Sequence, residues 1–157
     1  MTPREFLEEV VKPNVSDFHG QFDSLRLAYN AIASVDSLAA HIFTWCKANT
    51  HPSVLGVADD TVYRGNLAVM NSDFSLLRDM AKAQKHVHLT RGTPLVTDES
   101  QLASRTIGFG EGGFGEGRWG GVEQVVVDIS GSDFRYVESV TDAALAFLES
   151  QMGSLGI

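Results

Sequence analysis

The sequence predicts an α+β fold: a helical bundle of four to five helices with a glycine-rich β-hairpin and a C-terminal helix packed on it. Three observations predict it. Apolar residues recur at three- and four-residue steps through most of residues 1–91. Branched residues bounded by glycines gather at Thr106-Ile107 and from Val122 to Ile129. A helical period then returns at Val137, Val140, Ala144, Phe147 and Leu148.

Each element has its own signal. Thr2 can cap, Pro3 suits a first helical position and Glu5 completes a capping box, so the first helix is expected from Pro3 to Val11, stopping near Pro13. Asn14 or Ser16 can cap a second helix, whose Phe18, Phe22, Leu25, Ala28 or Tyr29, and Ile32 form one stripe. Asp36 reads as the cap of a third, apolar helix through Cys46, ended by Asn49-Thr50-His51-Pro52. Asp59-Asp60 starts a shorter helix to Met70. Asn71-Ser72-Asp73 then caps the best-defined segment of this half, Phe74 to Leu89. Beyond Arg91-Gly92-Thr93-Pro94 the composition changes. About sixty-five residues with one strand pair would hardly fold alone, so the expectation is a single domain over 1–157, with a helical half 1–91 and a hairpin-plus-helix half 92–157.

The chain has 157 residues, 43% of them hydrophobic and 20% charged, a globular composition. No apolar run approaches the roughly 20 residues that span a bilayer, and the acidic start reads as a helix rather than a signal peptide. Cys46 is the one cysteine, so a disulfide within one chain is impossible and a reducing cytoplasm is the expected compartment. Net charge is −8, which disfavours indiscriminate binding to nucleic acid or anionic membrane. The charge is uneven, however. Residues Arg78 to Arg91 hold four of the twelve basic residues (Arg78, Lys82, Lys85, Arg91) and one acid, Asp79.

Gly108-Phe109-Gly110-Glu111-Gly112 repeats as Gly113-Phe114-Gly115-Glu116-Gly117. The run contains G-x-G-x-x-G, but phosphate binding at that motif needs a helix N-terminus after the turn. Here a strand follows, and Glu111 and Glu116 would repel phosphate. The spacing suits a hairpin whose Phe109, Phe114 and Trp119 pack on the bundle, or form a self-association or partner surface.

On a helical wheel Phe74, Leu77, Met80, Ala81, Gln84 and His88 share one face, so His88 is expected to be at least half buried and hydrogen-bonded. Lys82 and His86 should lie nearer the surface. Arg78, Lys82, Lys85 and His86 stack along one side, where like charges repel. Either acids on a neighbouring helix pair with them, or the face receives an anion. A histidine can move a proton at neutral pH, and cations can stabilise a phosphoryl transition state.

Leu77-Arg78-Asp79-x-Ala81-x-Ala83-x-Lys85-His86, following Asp36-Ser37-Leu38-Ala39-Ala40-His41, resembles the HEPN superfamily of bacterial helical domains over residues 1–91. In that family an Arg precedes a His by four to six residues; here seven residues lie between Arg78 and His86, and Asp79 stands where another polar residue is common. The resemblance implies an RNA-binding or metal-independent ribonuclease-like bundle without cofactor, acting as a homodimer. Arg78 and His86 (or His88) would be catalytic, and Lys82, Lys85 and Arg91 would hold RNA. The alternatives are a non-catalytic interaction module using the aromatic hairpin, and a histidine metal-binding bundle. Against the last, the sequence has no HExxH or paired ExxH spacing.

Overall fold

The computed structural model describes residues 1–90, 92–107, 121–130 and 133–157. Arg91, Phe109, Phe114 and Trp119 therefore lie outside the described residues, and with them the expected packing of the three aromatics.

The N-terminal helix begins as the sequence suggests. Thr2 and Glu5 close a capping box at the start of α1 (Pro3–Phe6). It does not stop at Pro13. A π-helical turn, Leu7–Val11, leads directly into α2 (Lys12–Gly20), with the Lys12 N–H donating to the Leu7 carbonyl five residues back. Proline lacks a donor and its ring presses on the carbonyl four residues earlier; the wider turn before it lets the helix continue.

Ser24 caps α3, a single 24-residue helix from Leu25 to Ala48. The expected boundary at Asp36 does not exist: Asp36 sits within this helix, 3% exposed. Asp59 caps α4 (Asp60–Met70) and Asn71 caps α5 (Ser72–His86), both as expected. After α5 come β1 (Leu102–Thr106), β2 (Glu123–Ser130), β3 (Asp133–Tyr136) and α6 (Val137–Leu155). The three strands form an antiparallel sheet in the order β1-β2-β3, with Leu102 opposite Val127 and Val126 opposite Tyr136. The fold is thus α+β, a helical bundle with a small antiparallel sheet.

α3 is the central rod, packed against α2, α4, α5 and α6. Its Ile32, Val35, Leu38, Ala39, Ile42 and Cys46 are fully buried. The sheet joins the same core, because Val125 and Val127 of β2 belong to one hydrophobic cluster with Leu7, Phe74, Val140 and Met152. No helix among the described residues is long and apolar enough to cross a membrane.

Candidate functional site

α5 presents the site. Asn71 accepts a hydrogen bond from the Phe74 N–H at 2.8 Å, and Phe74, Leu77, Met80 and Ala81 lock the helix into the core. That anchoring turns Arg78 towards α4 and leaves Lys82 and Lys85 along an open flank. Around this flank lies a cleft of about 700 Å³, lined by Arg64, Arg78, Lys82, Lys85, His86 and His88, with Asp36, Thr61, Leu89, Thr90 and Pro94. Four cations face one carboxylate there, on a chain whose net charge is −8. Five of the residues singled out by the sequence, Arg78, Lys82, Lys85, His86 and His88, meet in this one cleft.

Arg78 is only 7% exposed. Its Nη2 donates to the Thr61 carbonyl at 3.0 Å, and no carboxylate of the described residues lies within ion-pair distance of it. Burial, followed by the neighbouring Arg64, shifts its pKa below the usual guanidinium value, yet an arginine remains a cation in a protein.

The acids expected on a neighbouring helix exist, but they serve particular partners. Arg64 bridges Asp36 (Nη1 to Oδ2, 2.8 Å) and Asp60 (Nη2 to Oδ2, 2.6 Å). Asp79 accepts from Lys82 at 3.1 Å and from the Leu95 N–H at 3.0 Å, so it pins the segment after α5 to the helix. The side chains of Lys85 and His86 have no hydrogen-bond or ion-pair partner among the described residues. Their position in the last turn of α5 also suits the negative end of the helix dipole, a reason for basic residues there that needs no ligand.

His88 departs from its expected place. α5 ends at His86, so His88 is not on the helix and its side chain is 63% exposed. It is hydrogen-bonded, through Nδ1 to Asp98 Oδ2 at 3.3 Å. Between the two histidines Val87 has φ 61° and ψ −51°, and the His88 N–H donates to the His86 carbonyl at 2.6 Å. This is a γ-turn of the strained hand, rare for any residue and more so for a β-branched one. The turn is tied down by Glu99, whose N–H donates to the Val87 carbonyl, and by a Leu89 N–H bond to the Thr97 carbonyl. Strain held this way clusters at functional sites.

The other histidines lie elsewhere, each with its own contact. His19 pairs with Asp142, His41 stacks on Phe6, and His51 bonds Ser53. Among the described residues no three His, Cys, Asp or Glu side chains gather to hold a metal ion.

Sequence reasoning missed Asp36, Arg64, Thr61 and the tether made by Asp79. Asp60 and Arg64 did carry a signal, an i,i+4 spacing of opposite charges. Asp36, a lone acid between Val35 and Leu38, carried one that fitted a cap equally well. Comparison of the chain with protein-family models, curated proteins and solved structures returns no match.

Proposed function

We propose that the cleft along α5 binds RNA through its phosphodiester backbone. The observation that carries this reading is the buried Arg78 guanidinium, which faces a cationic cleft with one backbone carbonyl and no carboxylate as partner. The carboxylates of Asp36, Asp79 and Asp60 act on this guanidinium only from beyond ion-pair contact, and a phosphate oxygen would give it a direct partner, in bidentate geometry. Lys82 and Lys85 continue the cationic track about 6 Å and 10 Å further along the helix.

The same spacing bears on cleavage. Eight positions on a helix separate Arg78 from His86, a rise of about 12 Å. Acid–base help requires a group within hydrogen-bond reach of the reacting atoms. The two residues of one chain therefore address different phosphates of a strand, which favours binding over cleavage.

The test is a gel-shift and salt titration with mixed-sequence RNA in EDTA. Lys85→Ala and Arg78→Gln should each weaken binding and reduce the slope of log K against log salt by about one phosphate contact. Lys85 is exposed, so its variant separates lost binding from lost folding. Cleavage that disappears in His86→Ala would move the reading to a ribonuclease. No shift at low salt would end the nucleic-acid reading and leave a protein-interaction module.

A further inference from the structure

We infer that the outer face of α4, together with the cations beside it, docks an acidic amphipathic helix of a partner protein. The inference stands apart from the RNA reading, because it begins from an apolar surface for which a phosphate backbone has no use.

α4 is apolar on two faces. Tyr63 and Leu67 turn inward and are buried. Val62 and Val69, seven residues apart, share a different face, and there Val69 is 90% exposed. Gly65 stands between them in the same stripe, and Met70 is exposed at the end of the helix. Single exposed apolar side chains are ordinary, whereas a stripe of them on one short helix marks an interaction surface.

The stripe runs into the cleft. The Arg78 Nη2 donates to the Thr61 carbonyl, and a Cβ at Gly65 would stand 3.5 Å from its Nη1, so apolar stripe and cleft meet at this guanidinium. The charge at the junction is unbalanced. Asp59 is occupied by the Val62 N–H, Asp36 and Asp60 by Arg64, and Asp73 by Arg135. The side chains of Lys85 and His86 have no such partner among the described residues.

Complementarity selects the occupant. RNA would match the cations and leave the valines in water. A second copy would match the valines but bring the same cations towards cations, and like charges disfavour a wrong partner. A lipid surface is too flat to reach Arg78, which is 7% exposed. A helix with an apolar face and acids along its edge meets both demands: its apolar side chains cover Val62 and Val69, and a carboxylate pairs with Arg78 in bidentate geometry. Val62 to Val69 spans about 10 Å of α4 and Arg78 to His86 about 12 Å of α5, so about four turns of partner helix cover both. Such a partner and RNA exclude one another at the cleft.

The test is selection on the full chain from a phage-displayed library of random peptides of about 16 residues, four turns of helix. Enriched peptides should combine acids with apolar residues at three- and four-residue steps. Synthesised singly, they should bind about tenfold more weakly to Val69→Asp, which sets a like charge against the acids, and more weakly to Lys85→Ala. Val69 is exposed and lies outside the cleft, so Val69→Asp should melt as the wild type does and shift RNA within about twofold of it. No enrichment, enriched peptides without that pattern, or peptides that bind Val69→Asp as tightly as the wild type would each overturn the inference. Absence of an RNA shift beside peptides of the expected kind would end the RNA reading alone.

Discussion

Tyr63 on α4 is 6% exposed, with its ring 5.5 Å from that of Phe43. Burial pushes its phenol up to about 12 from the ordinary 10. The unfolded chain ionises first, so the proton favours the folded state below pH 10, and that contribution is lost as pH rises from 10 to 12. Tyr63→Phe should therefore lose less stability across this window than the wild type, by on the order of 2 kcal/mol at its upper end. Urea denaturation of both chains at several alkaline pH values reads the difference, and equal pH slopes would contradict it. Asp36 makes a different demand at this scale. Removing it in Asp36→Ala strands part of Arg64, and breaking a buried pair destabilises strongly. Arg64 keeps Asp60 at the surface, so the expected loss is about 3 kcal/mol by chemical denaturation. Neither the burial of Tyr63 nor that of Asp36 is local information. The apolar run around Asp36 continues on both sides of it, and only the docking of α4 turns that run into one helix with a paired acid.

The helices show what the sequence makes legible and what it hides. Caps are short-range chemistry: Thr2, Ser24, Asp59 and Asn71 each accept from a backbone N–H three residues on. Of these, Thr2, Asp59 and Asn71 could be read directly. Pro13 and Asp36 misled, because a π-turn and a tertiary ion pair overrode the local stop signals. α5 ends at His86, three residues before the Leu89 that helical spacing predicts, for a similar reason. Nothing in Val87-His88-Leu89 forbids another turn of helix; the bonds from Glu99 and Leu89 to distant carbonyls select the γ-turn instead. That gathering of Arg78, Lys82, Lys85 and His86 on one flank was readable from helical spacing, whereas the cleft needed α4 and the segment held by Asp79. The strain at Val87 gives a prediction for this element. Val87→Gly removes the steric penalty at positive φ, and should raise stability by about 1 kcal/mol after the added freedom of the unfolded chain is counted. On the proposal that the α5 cleft binds RNA, it should at the same time weaken that binding, since His88 and the cleft wall lose their fixed placement. A urea midpoint that falls would show that the turn is not strained in solution.

At the scale of the molecule, the change of composition at residue 91 invites division into two halves, and the packing opposes it. α6 lies against both α3 and α5, and its Val140, Ala144, Leu148 and Met152 are fully buried. The Phe22 carbonyl before α3 accepts from the Val125 N–H of β2, so the sheet is stitched to the helical half by backbone as well as side chains. Removing residues 92–157 would expose Phe74, whose ring packs against Phe147, and the faces of α3 and α5 that α6 covers. Each buried side chain of that size contributes roughly 2 kcal/mol, and natural domains are stable by only about 5–15 kcal/mol. A fragment of residues 1–91 is therefore expected to lack a fixed tertiary structure, with poorly dispersed amide resonances and no cooperative melt. The full chain should unfold in one transition, followed identically by far-ultraviolet circular dichroism and tryptophan fluorescence. Leu148→Ala tests the same coupling without truncation: it should destabilise by about 2–5 kcal/mol and move both signals together. If the fragment melts cooperatively, or if Leu148→Ala uncouples the two signals, the halves are separate folding units, and the α5 cleft owes nothing to the sheet and helix that follow it.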